Sequence, residues 1–204
     1  LLTFCLKIHL IQINPSELQV HRNQLLKLLV DYAVKNPAEK ACVDQITEFI
    51  SQYDTCFNRT LVAGHMTGSA WIVNYAGIHT LLTHHKKLNK WLQPGGHADG
   101  DSDILRVAKR EADEESGLKR LTVEDGQIFD IDIHQIPARA DEPQHLHYDI
   151  RFVFRAMESE EFIVSEESHD LSWVEISKLE DYNAEESMMR MAKKWLQRPS
   201  KNFL

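Results

Sequence analysis

Cysteine is scarce in this 204-residue chain, and the three that occur, Cys5, Cys42 and Cys56, are widely scattered. So few thiols exclude a disulfide framework, and no close pair of cysteines is present that would suit a zinc site. A reducing, cytoplasmic setting fits this usage best. The chain also has no internal repeat and no low-complexity tract. The sequence is therefore typical of one ordinary globular domain with a modest extension.

Long apolar runs are missing as well. Residues 1–13 are mostly apolar, but a lysine and a histidine interrupt them, and the stretch is shorter than the roughly 20 residues of a membrane helix. It also lacks the basic start and the small-residue cleavage site of a signal peptide. We expect it to be a strand or helix that packs on the domain, or a loose leader, and we expect no membrane partner.

Positive charge is in deficit, because 23 Lys and Arg residues face 31 Asp and Glu residues, a net charge of −8. This balance argues against binding to a nucleic acid polymer without the help of cations. The excess acid is concentrated in two places: residues 99–118 hold 7 acidic and 3 basic side chains, and residues 158–186 hold 11 acidic and 1 basic. An acidic site for a cation is consistent with this distribution.

The pattern of apolar residues predicts two helices followed by a mixed sheet. Asn14-Pro15 and Asn36-Pro37 are helix-start signals, and apolar residues at helical spacing follow each of them, so residues 15–53 read as a helical hairpin. After it the chain reads β-β-β-α-β-β-β-α, which is α/β (α+β) in class. The predicted elements are strands at 70–73, 78–84, 91–92, 128–136, 146–154 and 173–174, a helix over 102–116, and a last helix capped by Asn183. The strands at 128–136 and 146–154 alternate apolar and polar residues and are predicted to be half-buried.

The helix predicted over 102–116 places three carboxylates against its own electrostatics. Glu111, Glu114 and Glu115 fall within an arc of about 100° on one face. They repel one another at three- and four-residue spacing, and the last two sit at the negative end of the helix dipole. A solvated acidic face is one reading of this pattern. The other is a site for a hard cation, Mg²⁺ or Mn²⁺, because all the ligand atoms would be oxygen.

Residues 96–118 resemble the Nudix box, whose pattern is Gly, five residues, Glu, seven residues, then Arg-Glu-aliphatic-x-Glu-Glu-x-Gly-aliphatic. The residues that match are Gly96, Arg110, Glu111, Glu114, Glu115, Gly117 and Leu118. Ala112 is a small substitute at the aliphatic position, and Ser102 stands where the first Glu belongs. The resemblance implies a Nudix-like α/β/α sandwich with a mixed sheet over residues 61–204, preceded by an N-terminal helical extension over residues 1–60.

The same resemblance implies a Mg²⁺- or Mn²⁺-dependent hydrolase of the diphosphate bond in a nucleoside diphosphate linked to another moiety, of ADP-ribose, sugar-nucleotide or nucleotide type. Glu111, Glu114 and Glu115 would bind the metal, with a backbone carbonyl of Gly95 or Gly96. Arg110 would hold the loop and the helix together by ion pairing.

Ser102 leaves alternatives open. In one, Ser102 caps the helix, Asp99, Asp101 or Asp103 supplies the missing charge, and activity is retained with altered metal affinity. Otherwise the domain is a non-catalytic sensor of a nucleotide ligand on the same fold.

Activation of a water molecule needs a base, and in Nudix proteins one often comes from a loop before a late strand that contains Trp. Glu166 and Glu167 occupy such a place ahead of Trp173. We favour Glu167 as a catalytic residue, and Glu111 is the other candidate. A solvated loop remains an alternative reading for both Glu166 and Glu167.

Three further features bear on ligands and partners. The segment 64–69 is read either as strand-start chemistry or as a wall of the substrate pocket. The alternating polar residues around 145–151 are read as ordinary surface groups, as substrate ligands, or as part of a histidine site for a transition metal. The helical hairpin 15–53 is a candidate interface for a homodimer or a partner. The substrate-binding candidates are His65, Thr67, Ser69, His147, Asp149 and Arg151.

Overall fold

A computed structural model of the chain describes residues 15–138 and 143–199. The helices are α1 (Pro15–Lys35), α2 (Lys40–Gln52), α3 (Ile104–Ser116) and α4 (Glu186–Leu196). The strands are β1 (Gly64–Val73), β2 (His79–His85), β3 (Lys90–Leu92), β4 (Gly95–His97), β5 (Leu121–Val123), β6 (Asp130–Ile136), β7 (His145–Ala156) and β8 (Ser168–Glu175). The predictions for residues 1–13 lie outside the described residues. Within these ranges no helix combines the length and the hydropathy needed to cross a membrane.

The eight strands form one mixed sheet, which confirms the predicted fold class. Strands β3, β2, β1, β7 and β5 follow one another across it, while β4 pairs with β1, β6 with β7 and β8 with β2. The two long central strands, β1 and β7, run parallel. Strands β4 and β5, of three residues each, were not predicted; β4 begins at the Gly95-Gly96 pair, which is typical of a turn.

Helix ends follow local capping chemistry, with three corrections to the predictions. Ser102 does not cap α3, because the side chain of Asp103 accepts a hydrogen bond from the Arg106 N–H. Asn183 does not cap α4 either, since Glu185 occupies that position and the Asn183 side chain accepts a hydrogen bond from its N–H. Asn36 closes α1 instead of capping the next helix: its amide donates to the Tyr32 carbonyl. A 3₁₀ turn then precedes α2.

The predicted end of α3 is confirmed. Gly117 has φ +62°, and its N–H donates to the Asp113 carbonyl. A residue with this left-handed conformation closes the helix, and glycine adopts it without strain. The carboxylates of the last turn of α3 are thereby held at a defined place.

The two faces of the sheet carry separate apolar cores. One core joins α1, α2 and α3 to the sheet, with Ile46 and Phe49 of α2 buried in it and Phe49 stacked on Tyr148 at 3.8 Å between ring centroids. The other lies under α4, where Met188 and Met191 pack with Trp71 of β1. The helical hairpin is thus packed directly against the sheet.

Strand β7 is buried on both faces over its second half, so the prediction of a half-buried strand was wrong there. Its alternate polar residues Asp149 and Arg151 are each only 2% exposed. They are satisfied by ion pairs: Arg151 lies 2.7 Å from Asp149 and 3.0 Å from Asp130. Polar alternation predicts an outward face only when the polar groups lack buried partners, and here they have them.

Candidate active site

A cavity of about 430 Å³ opens between α3, the β4 loop, β1, β7 and the loop before β8. Its volume falls within the range of about 300–1,000 Å³ that is usual for ligand sites. The predicted site residues that line it are Thr67, Ser69, Gly95, Gly96, Arg110, Glu111, Glu114, Glu115, His147, Asp149 and Glu167. Residues that are far apart in the chain therefore meet in one place.

Glu115 is the most deeply buried of the glutamates that line the cavity, at 8% exposure. One of its oxygens accepts a hydrogen bond of 2.8 Å from the Gly95 N–H, which fixes the carboxylate against the β4 loop. Burial raises the pKa of Glu115 to about 8, and the negative charges of Glu111, Glu167 and Glu114 act in the same direction. Without a cation, the ionised form of Glu115 is thus unfavourable at neutral pH.

Glu111 lies against Gly96, and this contact explains why residue 96 has no side chain. A Cβ atom built on Gly96 would stand 2.5 Å from a carboxylate oxygen of Glu111. Arg110 donates a hydrogen bond of 2.6 Å to Glu111 and one of 2.8 Å to the His97 carbonyl. Burial raises the pKa of Glu111, although the Arg110 guanidinium opposes that shift. The residue type at 96 and the ion pair at 110 both serve to place one carboxylate.

The four glutamates have the composition of a cation site. Glu114 and Glu167 are exposed at the cavity, and their charges act on Glu111, which Arg110 pairs in part. Repulsion among closely placed carboxylates is relieved by a cation, and oxygen donors suit Mg²⁺ or Mn²⁺. The residues present thus fit the metal that the sequence led us to expect.

Ser102 is buried, at 1% exposure, outside this cavity, and its hydroxyl lies 3.2 Å from Nδ1 of His21 on α1. The neighbouring aspartates have other partners: Asp99 pairs with Arg59, and Asp101 pairs with Arg106 at 2.6 Å. Asp99 is the one that also lines the cavity, and its charge helps to raise the pKa of Arg110.

The sheet wall of the cavity is built on Asp149. Thr67 and Ser69 each donate a hydrogen bond of 2.8 Å to one of its oxygens, and Arg151 donates to the other at 2.7 Å. Arg151 itself is 2% exposed and lies behind the lining residues. Arg151 therefore supports Asp149 from behind the wall of the cavity.

Histidines form a second feature of this wall. His65 is 1% exposed and lies behind the lining, with its ring between those of His97, His145 and His147 at centroid distances of 4.7–4.8 Å. Burial lowers the pKa of His65 to about 4 and that of His147 to about 2, with neighbouring imidazoles adding to both shifts. These side chains are neutral at neutral pH.

Several lining residues were not predicted from the sequence. Arg59 and Lys87 bring positive charge to the cavity, and His134 reaches it from β6. Arg59 and Lys87 lie in irregular segments with no recognisable motif, so no sequence signal marked them. His134 did have a sequence signal, because it alternates with apolar residues in a predicted strand. The sequence did not show which strand lies next to it, and the structure pairs it with His147 of β7.

Comparisons with known proteins bear on the family and the fold. The family profile described as the NUDIX domain matches residues 67–196, more than half of the chain. Among solved structures, an Ap4A hydrolase binary complex from C. elegans is 18% identical with a TM-score of 0.53, covering 64% of this chain and 94% of that one. The Nudix hydrolase RenU from M. smegmatis is 22% identical with a TM-score of 0.50, covering 68% and 91%. A comparison with curated proteins gave no match.

The two structural likenesses show the fold, and the profile match over residues 67–196 shows the family. The chain therefore belongs to the NUDIX family.

Proposed function

We propose that the chain hydrolyses the diphosphate bond of a nucleoside diphosphate linked to another moiety, and that it needs Mg²⁺ or Mn²⁺ to do so. The observation that carries this proposal is the convergence of Glu111, Glu114, Glu115 and Glu167 on one cavity, with the pKa of Glu115 raised to about 8. Such an arrangement is unfavourable by itself and becomes favourable around a cation.

Glu111, Glu114 and Glu115 would hold the ion, with a carbonyl of Gly95 or Gly96. When bound, the ion would neutralise charge on the diphosphate and lower the pKa of the attacking water. Arg110 keeps Glu111 in place and joins it to the β4 loop. The positive side chains Arg59 and Lys87 supply further attraction for phosphate groups at the cavity.

Glu167 is the proposed general base. Its side chain lines the cavity and is exposed there, whereas Glu111 is already engaged by Arg110. A base of this kind contributes about 10²–10⁴-fold to the rate. The neighbouring Glu166 is a matched control, because it is an exposed glutamate in the same loop that does not line the cavity.

The base assignment predicts that Glu167→Gln lowers kcat by about 10²-fold or more, while Glu166→Gln leaves kcat within about twofold of the parent. The measurement is steady-state phosphate release at saturating Mg²⁺. Equal losses in the two variants would instead mean that the loop matters for its charge or its shape.

The metal assignment predicts a severe loss in Glu114→Gln. Loss of an outer partner of a metal ligand already costs about 10–100-fold in activity or metal affinity, so loss of a direct ligand should cost at least as much. Glu114 is exposed, so the variant should fold normally. Asp113→Asn is the control, because Asp113 is an exposed acid on the same helix that pairs with Lys109 and does not line the cavity.

The substrate class is tested by a panel of ADP-ribose, sugar nucleotides, nucleoside triphosphates and dinucleoside polyphosphates, the last because one structural neighbour is an Ap4A hydrolase. Turnover of at least one class with Mg²⁺ or Mn²⁺ is the expected result. Binding without turnover of any of them would favour the nucleotide sensor that Ser102 suggested.

The proposed setting is cytoplasmic, with a small-molecule substrate and neither a nucleic acid polymer nor a membrane as partner. Cys42 and Cys56 are both free, and burial raises the pKa of each thiol to about 11, which keeps both protonated. A homodimer through α1 is proposed as well, since Val20, Val30 and Val34 are exposed on it. Sedimentation velocity of the whole chain and of a Val30→Asp, Val34→Asp variant tests the dimer.

A further inference from the structure

The topology brings three histidines to one spot on the sheet. His65 in β1 pairs with His147 in the parallel strand β7, so both side chains point to the same face. His145 lies two residues before His147 and therefore shares that face. One ring nitrogen of each of these three residues lies within 4.8 Å of those of the other two. Two further imidazoles, His97 and His134, have ring centroids 5.0 and 5.3 Å from that of His147.

His65 has no hydrogen-bonding role to account for its position. Its side chain is 1% exposed, and neither ring nitrogen has a hydrogen-bond partner among the described residues. Buried polar atoms are nearly always paired, and an unpaired one calls for an explanation such as an ion that the site holds. An apolar side chain would fill the same space without leaving two polar atoms unsatisfied.

His145 is oriented as metal-binding histidines are. Its Nδ1 lies 2.8 Å from the Pro143 carbonyl, and a carbonyl only accepts, so Nδ1 carries the proton. The lone pair of the neutral ring is then on Nε2. Metal-ligating histidines usually donate their other ring N–H to a backbone carbonyl or a carboxylate in this way.

The nitrogen spacing suits one ion. Nε2 of His145 and Nε2 of His147 lie 3.2 Å apart and share a hydrogen bond, whose proton a bound ion would replace. Two nitrogens each about 2.0–2.1 Å from a tetrahedral zinc are separated by about 3.3–3.4 Å. The observed distance is thus close to the nitrogen–nitrogen separation in such a tetrahedron. The ring of His65, the third ligand, lies beside the other two rings.

We propose that His65, His145 and His147 bind a divalent transition ion of the zinc class, at a second site distinct from the four glutamates. Three imidazoles with no carboxylate among them suit Zn²⁺ and not Mg²⁺. Burial keeps His65 and His147 neutral, which is the form that binds a metal. Because His145 and His147 line the cavity, the ion adds positive charge to the wall that receives phosphate groups.

The experiment is a Co²⁺ titration of the whole chain, stripped of metal and kept in excess Mg²⁺ to occupy the carboxylates. Co²⁺ in a four-coordinate nitrogen site gives intense visible absorption, while Co²⁺ bound by six oxygens gives very little. We expect one equivalent to produce an intense band that Zn²⁺ removes. No band in excess Mg²⁺, or a band that Zn²⁺ does not remove, would overturn the proposal.

Variants assign the ligands. His145→Ala and His147→Ala should lose the band, while His169→Ala, which removes an exposed histidine outside the cavity, and Glu114→Gln should keep it. A band that survives in His147→Ala, or disappears in Glu114→Gln, would refute the assignment.

A measurement on the parent protein guards against variants that fail to fold. X-ray absorption at the zinc edge of the Zn²⁺-loaded parent should show imidazole scattering from three ligands. A shell of oxygen atoms alone would overturn the proposal.

Discussion

Glu115 lowers the stability of the folded protein when it is ionised, at a place where the proposed reaction needs a carboxylate. It is nearly buried, faces three other carboxylates, and has a pKa of about 8 in place of the ordinary 4.5. A carboxyl whose pKa is raised on folding stabilises the fold only while it is protonated. The free energy of unfolding therefore falls as the pH rises from about 4 to about 8, where the folded protein binds more protons than the unfolded chain.

Glu115→Gln is expected to stabilise the cation-free protein. Gln keeps an oxygen for the Gly95 N–H but carries no charge, so the Tm in chelator should exceed that of the parent at about pH 8 by several degrees, given about 2–4 °C per kcal/mol for a chain of this size. The difference should vanish near pH 4, where Glu115 of the parent is protonated, and the hydrolase activity should be lost.

Thermal unfolding in chelator across this pH range is the measurement. Glu158→Gln, which neutralises an exposed glutamate outside the cavity, is the control and should show no such pH-dependent gain. A Glu115→Gln protein less stable than the parent at about pH 8 would contradict burial and carboxylate repulsion as the origin of the raised pKa.

Ser102 shows what residue patterns leave out. The sequence shows the box and its missing Glu, and the structure adds that α1 lies over this position. His21 of α1 contacts Ser102, and Leu25 and Leu28 of α1 lie beside it with Phe152. A glutamate there would bury a carboxylate in an apolar setting. No spacing within the box could predict that α1 covers this position.

At the scale of elements, β4 is the part of the site that depends most on backbone shape. It has three residues, pairs with β1 through Gly96 opposite Gly68, and presents Gly96 to the carboxylate of Glu111. A side chain at residue 96 must displace that carboxylate. Displacements of about 1 Å in an active site can cost about 10²-fold in rate.

Gly96→Ala is therefore expected to lower kcat by about 10²-fold with little change in Tm. Gly126→Ala is the matched control. Gly126 has φ +66° and lies outside the cavity, so alanine there should cost about 1 kcal/mol of stability and leave kcat unchanged. The two variants should thus show opposite patterns in steady-state kinetics and thermal unfolding. A Gly96→Ala enzyme with the activity of the parent would mean that Glu111 does not need its present place.

The elements that the sequence predicted well are those with long, regular periods. Helix α3 and strands β2, β6 and β7 have such apolar spacing. Strand β1 (Gly64–Val73) was predicted only over 70–73, and β8 (Ser168–Glu175) only over 173–174. Strand β4 was not predicted, because two of its three residues are glycine and it shows no alternation of apolar and polar side chains. The histidine wall was not predicted as a unit, since it requires the parallel register of β1 with β7. Contacts between distant strands are set by topology and not by local pattern.

On the scale of the whole molecule, a buried ion network joins the helical hairpin to the sheet and to α4. Asp130 is fully buried and accepts hydrogen bonds from Arg151 at 3.0 Å, Arg190 at 2.9 Å and Lys194 at 2.6 Å. Lys194 also pairs with Glu39, which follows α1, at 2.6 Å. Together with the apolar core shared by α1, α2 and the sheet, this network predicts that the hairpin and the sheet unfold in one transition.

Asp130→Asn is the variant that tests this coupling. Removal of the carboxylate leaves Arg151, Arg190 and Lys194 facing an uncharged amide, and breaking a buried ion pair costs about 3–5 kcal/mol. Asp44→Asn is the control, because Asp44 pairs with Lys40 on the surface of α2, where such pairs are worth about 0.3–0.5 kcal/mol.

Urea unfolding followed by far-ultraviolet circular dichroism and by tryptophan fluorescence measures both losses. The tryptophans lie in the sheet and α4, so fluorescence reports on those parts, while circular dichroism is weighted toward the helices. Coincident curves at a lower midpoint are expected for Asp130→Asn, and a separate, earlier transition of the helices in the parent would show that the hairpin is an independent unit.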